Sequence, residues 1–230
     1  MWHGVDIARV VMEGLSRDED ALRLEQAVGG LDALSEVSLH ALIARALEAS
    51  GFGVLREVPF PSLTPEQKRD PQRQRCDVVL TPRVGERVKD AIRTRKTKKK
   101  AEALLFACEE EEGAAPEECL WIEVKCVGQF TYTHGVPGPN RAYTSELVGA
   151  VRRDVVKLGA DSLMESGAAL VVLFSESREV AEHDLGVAAN RALDRGAVIK
   201  SVRMEHAPIL DRIGNRVMTA AVFEVGRGSD

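Results

Sequence analysis

Three residues have types and spacing suited to holding a divalent cation beside an anionic substrate. Asp77 lies in "RCDVVL", and Glu123 and Lys125 lie 46 and 48 positions further on in "LWIEVKCVGQF". In an extended chain successive side chains alternate, so Leu120, Ile122, Val124 and Cys126 point one way while Trp121, Glu123, Lys125 and Val127 point the other. A strand this apolar buries charge only where the charge is paired, hydrated or bound to a metal, so the pair is either a structural salt bridge or part of a site. Two carboxylates from neighbouring strands with a lysine one pleat away suit Mg²⁺, a hard cation that uses one or two carboxylates and fills its other positions with water and phosphate oxygens. In phosphodiester hydrolysis such a metal activates water, and the lysine orients the nucleophile or stabilises developing charge. The spacing alone is weak: Glu66-Gln67-Lys68 repeats it in a proline-flanked polar loop. The strand setting gives Glu123 and Lys125 their interest.

The elements that must position these residues follow from pattern. Residues 1–30 read as two short helices separated by the polar "SRDED", a cap for packing or dimerisation. Ser35 reads as the N-cap of a helix through Ser50 that Gly51 closes, with Leu39, Leu42, Ile43, Ala46 and Leu47 on its apolar face. "FGVLREVPF" and "RCDVVLTP" read as strands around a proline-broken loop. Residues 82–118 change from basic "RVKDAIRTRKTKKK" to apolar "AEALLFAC" to acidic "EEEEGAAPEE", an insertion expected to be helical in part. After the Glu123 strand come a loop, "GQFTYTHGVPGPNRAY", a helix from Thr144 to Glu165 and the buried strand "AALVVLF". A helix capped by Ser177 and stopped by Gly196 precedes two strands, "AVIKSVRM" and "RVMTAAVFEV", that flank a turn at Gly214-Asn215. The alternation predicts an α/β domain, a mixed sheet with helices on both faces. It spans residues 1–230 as one unit, with 31–81 and 119–225 as core.

The bulk numbers are those of a globular protein: 230 residues, 44% hydrophobic, 29% charged, net charge −5. No apolar run approaches the ~20 residues of a membrane span. The N-terminus lacks a basic start followed by an apolar block, so a cytoplasmic protein without membrane partners is expected. Cys76, Cys108, Cys119 and Cys126 form no CxxC pair or Cys/His cluster, and reduced thiols are expected. Neither GxxxxGK[ST] nor a strand-associated GxGxxG is present, so a phosphate-cradling nucleotide site has no support.

Other residues have two readings each. Glu36 and His40 fall at the border of the apolar face of the Ser35 helix, where both can face a metal. Equally, Glu36 in a first turn suits the helix dipole, and a boundary histidine is commonly solvated. Gln129 follows Lys125 closely, and Arg152, Arg153 and Lys157 lie on the next helix, as phosphate contacts or simply as its wet face beside the stripe Leu147, Val151, Val155 and Leu158. Phe130, Tyr132, His134 and Arg141 can stack on bases or track a backbone, or belong to an ordinary loop. The run Arg87, Lys89, Arg93, Arg95, Lys96, Lys98, Lys99 and Lys100 suits a phosphate backbone, with binding that weakens steeply in salt, unless the acidic stretch folds back on it.

From about Leu34 to Phe174, the order helix, strand, "CDVVL" strand, "IEVK" strand, helix, strand resembles the core of the PD-(D/E)XK nuclease superfamily, the restriction-endonuclease-like fold. The resemblance implies metal binding by Asp77, Glu123 and the backbone carbonyl of Val124, and catalysis by Lys125. It also implies assistance from a glutamate at Glu36, as in some branches, or a histidine at His40, since "SLHALIARALE" is similar to the RecB-like branch. Cys76 departs from the family pattern, which has proline there. The expected function is a Mg²⁺-dependent nuclease, with Mn²⁺ able to substitute, acting on DNA, with RNA as the other polyanion left open. The alternative is a catalytically silent module of the same fold that holds nucleic acid, or holds a protein partner through the N-terminal helices.

Overall fold

The computed structural model describes residues 2, 7–64, 67, 75–90 and 112–226. Arg93, Arg95, Lys96, Lys98, Lys99, Lys100 and Cys108 lie outside the described residues, as does most of the expected helical insertion.

Among the described residues, four α-helices and eight strands carry the fold. Helix α1 spans Ile7–Leu24 and α2 Glu36–Ala49; strands β1, β2 and β3 span Gly53–Pro59, Arg75–Thr81 and Leu120–Gly128. A small ribbon, β4 (Phe130–Thr133) and β5 (Val136–Pro139), precedes α3 (Tyr143–Gly159) and β6 (Ser166–Ser175). Then come α4 (Arg178–Leu193), β7 (Ile199–Pro208) and β8 (Val217–Val225). The main sheet runs β1-β2-β3-β6-β8-β7, antiparallel at every join except the parallel pair β3 and β6. Only a crossover can join parallel neighbours, and α3 supplies it.

Each face of the sheet has its own core. Val78, Leu80, Ile122, Leu170 and Val222 meet α1 and α2, whereas Val79, Trp121, Val171, Leu173 and Phe223 meet α3 and α4. Strand β6 is buried on both sides, which explains its unbroken apolar run. The alternation read along Leu120–Val127 holds: Ile122 and Val124 face the α1/α2 layer, and Trp121 and Val127 face the α3/α4 layer. Where α1 crosses α2 the backbones come close enough that a Cβ on Gly14 would stand 2.2 Å from that of Ala46. Ser35 caps α2, its Oγ accepting from the Ser38 amide, and Ser177 caps α4 in the same way through the Val180 amide. Among the described residues no helix is long and apolar enough to cross a membrane.

Three expectations need correction. The N-terminal segment is one 18-residue helix rather than two short ones, because "SRDED" presents its charges to solvent apart from Glu19, which is buried. Glu19 pairs with the equally buried Arg212 from the β7–β8 connection and accepts from the Leu31 amide at 3.1 Å. The segment after β3 is a β-ribbon rather than a loop: His134 and Gly135, at φ 52° and 81°, make a two-residue turn whose left-handed backbone suits strand twist. Helix α3 ends at Gly159 rather than Glu165, because the Asp161 carboxylate takes the Leu163 amide and the Ser62 amide and hydroxyl and turns the chain.

The buried Glu19–Arg212 pair is an ionic contact that joins α1 to the β7–β8 connection. Removing one partner of such a pair leaves the other charge unpaired, so Arg212→Ala should lower stability by about 3–5 kcal/mol. The check is the urea unfolding midpoint, and Arg45→Ala, in an exposed pair with Asp18, should lower it by only about 0–1 kcal/mol.

Candidate active site

Strands β2 and β3 pair through Leu80↔Leu120, Val79↔Trp121 and Val78↔Ile122, and the ladder then stops, while β3 continues alongside β6 to Gly128. One step past the last pair, the Asp77 carboxylate accepts a hydrogen bond from the Val124 amide at 2.7 Å. A side chain thus satisfies an amide that has lost its strand partner, and a buried amide requires some such acceptor. Cys76 is fully buried beside it, its thiol donating to the Ile122 carbonyl at 3.3 Å. A proline there has no comparable donor. Burial, reinforced by Glu123 and Asp77, pushes the Cys76 thiol well above its usual range, so it packs rather than reacts.

Glu123 is only 5% exposed, and its Oε1 accepts from Lys157 Nζ of α3 at 2.7 Å. Burial raises its pKa from 4.5 to about 7 against the pull of the Lys157 bond, and the neighbouring charges of Asp77 and Asp154 add to the rise. Lys125, two residues along the same strand, is turned toward α2, where Nζ donates to both Glu36 carboxylate oxygens at 2.8 and 3.0 Å. His40, one turn further on α2, is buried, with Nε2 3.9 Å from Glu36 Oε1 and no hydrogen-bond partner for that nitrogen among the described residues. The site therefore has two carboxylate–ammonium pairs: Glu123 with Lys157 from one helical layer, and Glu36 with Lys125 from the other.

Asp154 completes the carboxylate set and was not singled out from sequence. Burial lifts its pKa from 3.8 to about 6, with Lys157 opposing and Asp77 adding to the shift. A signal was present: Asp154 occupies the stripe position between Val151 and Val155, both buried, and an acid there needs a partner. The remaining candidates lie apart. Gln129 takes the Glu176 amide on its side-chain oxygen at 3.0 Å, and its own amide donates to Phe174, joining the ribbon to the end of β6. Arg141 is exposed just after the ribbon, Arg153 is exposed on α3 and Arg152 is half-buried; none is hydrogen-bonded to Asp77, Glu123 or Lys125. A cleft of about 250 Å³ opens on the other side of Glu36, lined by Asp32, Asn140, Glu146, Phe130 and Phe174. Asn215, fully buried, holds its wall by bonding Asp32 and both backbone groups of Phe130.

Among the described residues, no three His, Cys, Asp or Glu side chains converge closely enough to form a ready-made metal cage. The donor chemistry nonetheless fits a hard cation. Asp77 and Glu123 offer oxygen only, they lie close enough for the charge on Asp77 to raise the pKa of Glu123, and Mg²⁺ needs one or two carboxylates with water for the rest. No family model matches the chain, and no curated protein or solved structure matches it.

Folded-state pKa values above the unfolded ones make the native protein hold protons that the unfolded chain releases, so the contributions of Glu123 and Asp154 are present at low pH and lost as pH rises. For Glu123 the loss runs from about pH 4.5 to somewhat above 7. Glu123→Gln, neutral throughout, should therefore gain stability relative to wild type across that window, read as the difference in urea midpoints. A difference that shrinks with rising pH would mean that the Lys157 bond outweighs burial.

Proposed function

We propose that this chain is a Mg²⁺-dependent nuclease of restriction-endonuclease-like fold that hydrolyses DNA phosphodiester bonds. The observation that carries the reading is the position of Asp77, bonded to the Val124 amide where β2 parts from β3, which sets it beside the buried Glu123. The order α2, β1, β2, β3, α3, β6 is also the order that resemblance to the PD-(D/E)XK superfamily expects.

In this reading Asp77, Glu123 and the Val124 carbonyl would hold the cation, with His40 as a further candidate because its buried Nε2 has no hydrogen-bond partner among the described residues. The bound metal would supply an activated water and offset negative charge on the scissile phosphate. Lys125 orients the nucleophile or stabilises charge on the phosphate oxygens. It rests on Glu36 until an anionic substrate arrives, so Glu36 keeps an ammonium in place without burying it unpaired. Asp154 beside Asp77 deepens the negative potential that attracts a cation. Substrate contact would come from Arg141, Arg152 and Arg153 and from the basic stretch Arg93, Arg95, Lys96, Lys98, Lys99 and Lys100, with RNA as the other polyanion to examine.

A non-catalytic binding module on the same fold is the second reading, favoured by the two lysines that already neutralise Glu123 and Glu36. Cleavage separates the two. Purified protein should cut plasmid or oligonucleotide DNA with Mg²⁺ or Mn²⁺ and not with EDTA, and Glu123→Ala, Asp77→Asn and Lys125→Met should each lower the rate by at least about a hundredfold. Cutting that persists in Glu123→Ala, or a wild type that binds DNA without cutting under any divalent cation, would overturn the nuclease reading.

A further inference from the structure

Lys157 lies outside the Asp-Glu-Lys set, yet it is the residue that Glu123 touches. Its ammonium has three fixed neighbours: Glu123 Oε1 at 2.7 Å, the Arg75 carbonyl at 3.5 Å and the face of Phe60, 4.7 Å from the ring centroid. That ring is itself held, stacked on Trp121 at 6.3 Å, and the Trp121 indole donates to the Pro116 carbonyl at 3.0 Å. Lys157 is thus a cation on a seat built by Phe60 just past β1, by β2 and by β3, rather than one of the loose ammonium groups of a wet helix face. The lysine of the Glu-x-Lys strand cannot do the same work, because both of its hydrogen bonds go to Glu36 on the opposite layer.

The bond to Lys157 has a directional consequence. It takes Oε1, and among the described residues no hydrogen bond takes Oε2. A carboxylate held by one oxygen in a packed core has lost most of its freedom to rotate, and its other oxygen is left for a ligand.

We infer that Lys157 is a positioning residue that holds Glu123 by one oxygen so that the other is presented to the divalent cation. The inference rests on the proposed metal site and assigns Lys157 a role distinct from phosphate binding. An outer partner of this kind typically contributes ten- to hundredfold to metal affinity.

Calorimetric titration with Mn²⁺ at fixed pH tests it, using wild type, Lys157→Met, Lys157→Gln and Lys157→Arg, with urea midpoints to confirm that each variant is folded. Lys157→Met should weaken Mn²⁺ binding about ten- to hundredfold, and Lys157→Arg, which keeps a charged donor, should recover most of it. Lys157→Gln, which keeps a donor without the charge, serves if the Met variant does not fold and should weaken binding in the same direction. In a Glu123→Gln background, Lys157→Met should change the affinity no further, because the lysine acts through Glu123. Wild-type affinity in Lys157→Met or Lys157→Gln, or a further loss in the Glu123→Gln background, would overturn the inference while leaving the metal site standing. A wild type that takes up no Mn²⁺ would remove the metal reading, and this one with it.

Discussion

Val124 presents its amide to a strand that has already turned away, and the Asp77 carboxylate takes the bond. The arrangement around the site follows from that substitution. Because β2 stops pairing at Val78, a gap opens between two central strands, and a gap in a sheet is where a polar side chain can sit at core depth without displacing a ladder bond. Glu123 then lies at the edge of that gap on a strand that is apolar apart from Lys125, and burial dominates its protonation.

Charge around the gap is balanced across the sheet. A lone buried carboxylate is expensive: Glu123 and Glu36 are each matched by an ammonium from another element, and Asp77 takes the Val124 amide. Glu123 draws Lys157 from α3, and Lys125 draws Glu36 from α2, so the two helical layers meet chemically at β3 although they pack on opposite faces. This cross-pairing gives the buried Glu123 and the partly exposed Glu36 one ammonium each. Asp154, whose pKa burial lifts to about 6, is mostly ionised at neutral pH and adds its negative charge beside Asp77 and Glu123.

More distant contacts keep the surroundings in place. Asn215, in the turn before β8, binds both backbone groups of Phe130 and so fixes where the β4–β5 ribbon leaves β3. Gly214, at φ 119°, leaves room for the Phe130 ring, against which a Cβ would come within 2.7 Å. Asp161 ties the end of α3 to Ser62 in the connection after β1, which anchors the helix that carries Asp154 and Lys157.

Much of the scaffold was legible in the chain because its signals are local. Alternation along Leu120–Val127, the continuous apolar run of β6 and the serine caps of α2 and α4 depend on neighbours a few residues away. The polar middle of the continuous α1 resembles a break, and the partners of its buried Glu19, Arg212 and the Leu31 amide, are distant in sequence. The ribbon was missed because its strands are four residues each, too short for periodicity to register. At the site, the sequence alone determined that an acid and a lysine lie on an apolar strand and that another acid lies on a neighbouring one. Tertiary structure decided which charges meet: that Lys125 turns to Glu36, that Lys157 reaches Glu123, and that Asp154 joins them. Pairing of this kind depends on which helix covers which face and on where a ladder ends, and no residue carries that information in its immediate neighbours.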